Sequence, residues 1–154
     1  MAEPRVLILI GSESDRPTMS DCLKRLQDLG VDAELRVSSA HRNPEATRQL
    51  ARAAEARGVR VIVAAAGMAA HLAGAVAAET TLPVIGVPLE SGPLHGMDAL
   101  LATVMMPSGV PVATMAIGAA GAANAAIFAA QILALEDASL ADRLRALRSG
   151  WRTA

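Results

Sequence analysis

Aromatic side chains are nearly missing. The 154 residues include no tyrosine, one phenylalanine (Phe128) and one tryptophan (Trp151). Cysteine is equally scarce: Cys22 stands alone, which excludes an internal disulfide and points to a reducing cytoplasm. No basic block exists either. Fourteen Lys and Arg face fifteen Asp and Glu, interleaved in sign, for a net charge of −1. That balance argues against nucleic acid or a membrane surface as partner. No apolar run reaches the roughly 18 uninterrupted residues of a membrane span. The opening "MAEPRVLILIGSES" has only a short apolar stretch ending in polar residues, unlike a signal peptide.

What is abundant is alanine. Alanine buries little area per residue, and a lone core this poor in aromatics is marginal. The composition therefore predicts that part of the apolar surface is covered by further copies of the chain. The length fits one domain, residues 1–154, with a core over about 5–135 and a terminal helix over about 138–150.

Strand and helix signals alternate. Val6 to Ile10 is a continuous apolar run, as in a parallel strand buried on both faces. Met19, Cys22, Leu23, Leu26 and Leu29 then recur at helical spacing, with Gly30 as a stop. "VDAELRVSSA" reads as a second strand. Asn43 and Pro44 open the next helix as cap and first residue, and apolar spacing continues to Gly58. "VRVIVAAAG", "LPVIGVPL" and "VPVATMAIG" read as strands three to five. Between and after them, "MAAHLAGAVAAET", "HGMDALLATVMM", "AAGAANAAIFAAQILAL" and "ASLADRLRALRSGW" are helix-compatible. This alternation predicts right-handed β–α–β units and a parallel sheet covered on both faces. Ligands of such α/β folds bind at the carboxyl ends of the strands. The chemistry is thus expected in four loops: Gly11 to Asp15, Ser38 to Arg42, Gly67 to His71, and Leu89 to Gly96.

The first loop, "GSESD", joins a permissive Gly11 to the hydroxyls of Ser12 and Ser14, an arrangement suited to phosphate. Asp15 is either a helix cap or a binder of sugar hydroxyls; the plainer reading is an ordinary capped loop. In "SSAHRNP", Arg42 is a fixed cation able to fork onto phosphate or carboxylate, and His41 can move a proton near neutral pH. Alone, the pair is equally a surface loop that starts a helix. His71, in "AAAGMAAHLAG", sits among small residues that leave room for a flat ring, or is a hydrogen-bonded structural histidine. His95 reads as an exposed loop residue, Asp98 as a local cap, and Cys22 as core. No H-x-x-x-H or C-x-x-C spacing suggests a metal site. The dinucleotide fingerprint, the P-loop and the G-x-S-x-G elbow are also missing.

Taken in order, "GSESD", "SSAHRNP", "AAGMAAHLAG", "LPVIGVPL", "MDALLATVMMPSGVPVATMAIG" and "GAANAAIFAAQILAL" resemble the class I N5-carboxyaminoimidazole ribonucleotide mutases of purine biosynthesis, over Val6 to Leu135. The resemblance implies a flavodoxin-like three-layer α/β/α sandwich with central strand order 2-1-3-4-5. It implies a cytoplasmic homo-octamer with sites at subunit junctions, a ribonucleotide substrate, and no ATP, metal or organic cofactor. It assigns His41 as acid/base and His71 to the carboxylate-handling end. Nucleotide binding falls to Gly11, Ser12, Ser14, Asp15, Ser39, Ala40 and Arg42, and the ring pocket to Gly67, Met68, Ala69, Ala70 and Leu72, with Gly67 and Gly74 confining carbon dioxide. Arg16, Ala73, Met105 and Ala123 depart from common family residues, as does His95 in "GPLHG", touching loop geometry and inter-subunit contacts.

Other readings fit the same sequence. The class II enzymes carboxylate aminoimidazole ribonucleotide directly, but resemble "AAHLAG" poorly. The carboxylases of nickel-pincer nucleotide synthesis carry a similar domain on a longer chain. A non-enzymatic flavodoxin-like module is the third; flavin would want an aromatic in a strand-end loop, and a phosphorelay receiver would want an Asp after the third strand and a Lys after the fifth.

Overall fold

Five parallel strands, ordered 2-1-3-4-5, form the centre of the computed structural model, which describes residues 3–152. Residues 1–2 and 153–154, the ends of the expected 1–154 range, lie outside the described residues. In sequence order the strands are β1 (Val6–Ile10), β2 (Ala33–Val37), β3 (Val61–Gly67), β4 (Val84–Leu89) and β5 (Ala113–Thr114). The helices are α1 (Arg16–Asp28), α2 (Pro44–Ala53), α3 (Leu72–Ala77), α4 (Met97–Val104), α5 (Ala119–Ala134) and α6 (Ala138–Trp151).

The register explains the apolar runs. β1 lies between β2 and β3, with Ile8 opposite Leu35 on one side and Val63 on the other. All five β1 side chains are fully buried. Alternate residues enter different cores because side chains alternate along a strand. Val6, Ile8 and Ile10 join Met19, Cys22, Leu26, the α5 alanines and Leu140 on one face. Leu7 and Leu9 join Ala51, Leu72 and Val76 on the other. Each large aliphatic side chain so buried contributes about 1.5–3 kcal/mol. The order and the flanking helices give the flavodoxin-like three-layer sandwich that the resemblance implies.

Several boundaries differ from the sequence reading. β5 keeps only two paired residues of "VPVATMAIG", opposite Ile85 and Gly86. It is an edge strand, and Pro111 just before it has no N–H for the ladder. α2 ends at Ala53; a 3₁₀ turn over Glu55–Arg57 carries the chain to Gly58, whose φ of 82° is left-handed. α3 starts only at Leu72, because Met68 to His71 forms a turn. The Asn43 side chain accepts the Ala46 N–H at 3.2 Å, with Pro44 in the first turn, as expected.

Alanine serves α5 by letting it lie close. Ala122, Ala125, Ala126, Ala129 and Ala130 are all fully buried against the sheet and α1. α6 closes this layer with buried Leu140, and Arg143 Nε donates to the Leu29 carbonyl at the end of α1 at 2.7 Å. Cys22 sits in this core, where burial pushes its thiol up to about 12. At neutral pH it is a packed thiol, not a nucleophile. On α4, Ala99 and Thr103 face inward, while Met97, Leu101, Val104 and the adjacent Met105 are more than 40 % exposed. These four residues form one apolar stripe at helical spacing.

The tightest approach is at Gly121, near the start of α5. A Cβ there would fall almost on the Ala116 carbonyl oxygen, a backbone atom with little freedom to move. Gly121→Ala is expected to destabilise the fold by about 1–3 kcal/mol or more, as overpacking does. Denaturant melts check this; an unchanged midpoint would mean that α5 can shift outward.

Candidate active site

All five strands end at one edge, and the loops after β1, β2, β3 and β4 meet there around a cavity of about 430 Å³. Its wall holds Gly11, Ser12, Ser14 and Asp15 from the first loop, and Ser39, Ala40, His41 and Arg42 from the second. The third loop and the start of α3 add Gly67, Met68, Ala69, His71 and Leu72. Of the nucleotide, ring-pocket and acid/base residues that the resemblance assigns, Ala70 is not in this wall. It is 2 % exposed, and its N–H closes a tight turn onto the Met68 carbonyl at 2.8 Å. Gly74 is also elsewhere, against Met106.

Each loop is held from beneath. After β1, Asp15 turns back so that its Oδ2 accepts the Ser12 N–H at 3.0 Å, while Ser14 Oγ donates to Ser12 Oγ at 3.0 Å. The Asp15 bond closes the 3₁₀ turn Glu13–Asp15; toward α1 the Asp15 side chain makes no cap bond, so the helix-cap reading does not hold for that helix, and Oδ1 has no hydrogen bond among the described residues. After β2, buried Ser38 and Thr47 join hydroxyl to hydroxyl at 2.8 Å and tie the loop to α2. The Arg42 N–H bonds Ser39 Oγ at 3.3 Å, yet the Arg42 guanidinium has no ion pair or hydrogen bond among the described residues. Many other cations of the surface are paired; Lys24 with Asp28 and Arg52 with Glu79 are examples. An exposed, unpaired guanidinium beside three serine hydroxyls is a ready anion holder.

The histidines meet across the cavity. His41 Nε2 lies 2.7 Å from His71 Nδ1, with the rings edge to face at 88° and centroids 4.8 Å apart. One nitrogen of such a bond must be bare, so at most one ring carries a charge while it holds. His71 stands just before α3, on the turn that Met68 and Ala70 close. His95 is exposed and 3.3 Å from Glu90, outside this cavity, as its sequence reading expects. Asp98 accepts the adjacent Ala99 N–H at 2.9 Å, a local role as expected. Among the described residues, no three His, Cys, Asp or Glu side chains converge as metal ligands would.

Two wall residues were not singled out from sequence: Ala66 and Ser91. Ser91 belongs to the Leu89 to Gly96 loop, whose position after a strand marks it as a site loop. It reaches the cavity because Gly67 has no side chain; a Cβ on Gly67 would come within 2.8 Å of Ser91 Cβ. A small serine among apolar and turn residues gives no chemical signal of its own in the sequence.

Fold and cavity together define a flavodoxin-like protein whose sheet brings two imidazoles, an unpaired guanidinium and serine hydroxyls together at its carboxyl edge. The chain belongs to the AIR carboxylase family, whose sequence model matches residues 5–153. It is 54 % identical over 142 residues to the N5-carboxyaminoimidazole ribonucleotide mutase of Bacillus subtilis, covering 92 % of this chain and 88 % of that one. To the mutase of Pyrococcus abyssi it is 50 % identical over 145 residues, 94 % and 82 % of the two chains. The crystal structure of Treponema denticola PurE superposes with a TM-score of 0.88 at 28 % identity, covering 97 % of this chain and 92 % of that one. No helix among the described residues is long and apolar enough to cross a membrane.

Burial raises the Asp15 carboxyl above its usual 3.8, and the Ser12 N–H only partly offsets this. A raised folded-state value means that the stabilising share is present at low pH and lost as pH rises through it. At neutral pH the ionised, half-buried carboxylate therefore costs stability. Asp15→Asn keeps an oxygen for the Ser12 N–H and removes the charge. The variant is expected to melt no lower than the parent at pH 7, with the difference shrinking below about pH 4. Thermal melts at both pH values check it; a clearly lower melting point at pH 7 would contradict it.

Proposed function

We propose that this chain is an N5-carboxyaminoimidazole ribonucleotide mutase of purine biosynthesis, acting in the cytoplasm. It moves a carboxylate from the exocyclic nitrogen of an aminoimidazole ribonucleotide to a ring carbon. The observation that carries this reading is the facing pair of His41 and His71 beside the unpaired Arg42, in a chain about half identical to proteins of that name.

In this reading Arg42, Ser12, Ser14 and Ser39 hold the substrate's phosphate, with the Gly11 and Ala40 backbone shaping the loops around it. Asp15, with Oδ1 free, accepts from the ribose hydroxyls. The imidazole lies over the small residues Gly67 and Ala69, with Leu72 behind and Met68 at the rim. His41 gives a proton to the exocyclic nitrogen as its bond to the carboxylate breaks. That bond's electron pair stays on nitrogen, and carbon dioxide is released into the cavity. The electron-rich ring carbon then attacks the carbon dioxide, and His41 takes the proton that leaves the carbon. His71, bonded to His41, orients its ring and lies at the carboxylate end. One group acting as acid and then as base suits a rearrangement with no net redox change. Confining carbon dioxide requires that water and exit paths be restricted at that moment.

The direct test is ultraviolet detection of 4-carboxy-5-aminoimidazole ribonucleotide formed from the N-carboxylated substrate, without ATP and with bicarbonate depleted. Product is expected, and His41→Asn is expected to slow it by at least about a hundredfold while remaining folded. Product arising only from aminoimidazole ribonucleotide with added carbon dioxide would identify the direct carboxylase instead.

The assembly we propose is the homo-octamer, built partly through α4. Its support is the exposed stripe of Met97, Leu101, Val104 and Met105, an apolar patch of a kind that soluble monomers seldom leave open. Light scattering is expected to give eight chains for the parent and a smaller species for Leu101→Asp. A monomeric parent at assay concentration would refute this assembly.

A further inference from the structure

Met68 has an uncommon backbone. Its φ of 50° places a long, unbranched side chain in the left-handed region that favours glycine. It is 53 % exposed at the rim of the histidine cavity. The residue before it is a glycine, so the turn that presents His71 had a permissive residue at hand. Non-glycine residues held in this region concentrate at ligand clamps and active sites, where the side chain is needed at that spot.

The side chain runs to the loop after β4. Its Cγ, Sδ and Cε lie 3.7–3.8 Å from where a Cβ of Gly92 would be, ordinary van der Waals contact. Gly92 lines a second cavity of about 470 Å³, together with Leu89, Glu90, Thr18 and Gly118. Ser14, Asp15 and Ser91 line both cavities. The two spaces thus share one rim, and the Met68–Gly92 contact lies between them. A thioether chain is flexible, apolar and free of hydrogen-bond demands, so it can fill a gap beside a moving ligand without offering water a partner.

We infer that Met68 is the retention residue of the site: its side chain bars the passage from the histidine cavity to the neighbouring one and keeps carbon dioxide beside the ring carbon. This rests on the mutase reading above. Between the two chemical steps the cavity holds neutral carbon dioxide and the amine. If carbon dioxide escapes, it hydrates in bulk to bicarbonate and a proton, and the aminoimidazole ribonucleotide is left uncarboxylated. If it stays, the new carbon–carbon bond forms from the same carbon atom. Met68 decides between these fates and takes no part in either proton transfer.

The experiment uses the full chain, the N-carboxylated substrate at natural isotope abundance, and a buffer of ¹³C-bicarbonate with carbonic anhydrase. Mass spectrometry reads the labelled fraction of the carboxylated product, and absorbance reads free aminoimidazole ribonucleotide. Both are ratios to total turnover. Met68→Gly is suited to the left-handed φ and keeps the turn while opening the passage. Met68→Ala removes the side chain while keeping a Cβ. Met68→Leu keeps bulk. Label and free amine are expected to rise at least about threefold over the parent in the Gly and Ala variants, and to stay near the parent in the Leu variant. Parental ratios in Met68→Gly would overturn the inference, as would a Leu variant that leaks like the Gly variant. A rise in Met68→Ala without one in Met68→Gly would place the effect in the backbone and overturn it as well. A parent that makes no carboxylated product at all would remove the mutase reading, and this one with it.

Discussion

Burial of β1 and β3 on both faces is the constraint from which the site follows. Val6 to Ile10 and Val61 to Val63 are fully enclosed, so a polar side chain there would lose its water with no partner in exchange. Polar and charged groups are thereby kept out of these strands and fall to the strand ends and the helix surfaces. Because the strands are parallel and in register, those ends fall on one edge, and four loops far apart in the chain converge. The core supplies rigidity without chemistry, and the edge supplies chemistry on rigid supports.

At that edge the loops are not loose. The Ser38–Thr47 hydroxyl pair, the Asp15 carboxyl on the Ser12 N–H, and the Met68–Ala70 turn each satisfy backbone or buried polar groups locally. What they leave unsatisfied is selective: the Arg42 guanidinium and one oxygen of Asp15. A cation and an acceptor thus stand without a prior bond to break, which suits the phosphate and ribose hydroxyls of the proposed substrate. The ionised Asp15 is held at some expense to the empty fold, as is common where a site is built in advance of its ligand.

Much of this is legible in the sequence, for physical reasons that differ by element. β1 and β3 are legible because strands enclosed on both faces must be apolar throughout, and α2 because Asn43 and Pro44 carry its cap chemistry in their side chains. The site loops are legible because position after a strand and residue type agree at Ser12, Asp15, His41, Arg42 and His71. β5 is poorly legible: an edge strand with two paired residues leaves hardly any alternation, and apolar flanks extend its apparent length. Ser91 is hidden because its place in the wall depends on a contact with Gly67, distant in sequence. The burial of Ala70 and the left-handed φ of Met68 depend on a turn that composition does not encode. The separation of Gly74 from the cavity has the same origin, since it hangs on where α3 begins.

The hydrogen bond between the two imidazoles has a bookkeeping of its own. Each neutral ring carries one proton on two nitrogens, and the bond uses one nitrogen of each. If His41 donates, its Nδ1 is bare and His71 has its proton on Nε2; if His71 donates, both outer nitrogens exchange roles. A proton that arrives at His41 Nδ1 can therefore hand another across the shared bond and release a third from His71 Nε2. Positive charge then passes from one ring centre to the other, over 4.8 Å, with no heavy atom changing place. A bond of this geometry admits two polarities, and which ring donates decides whether His41 Nδ1 or His71 Nε2 is the bare outer nitrogen.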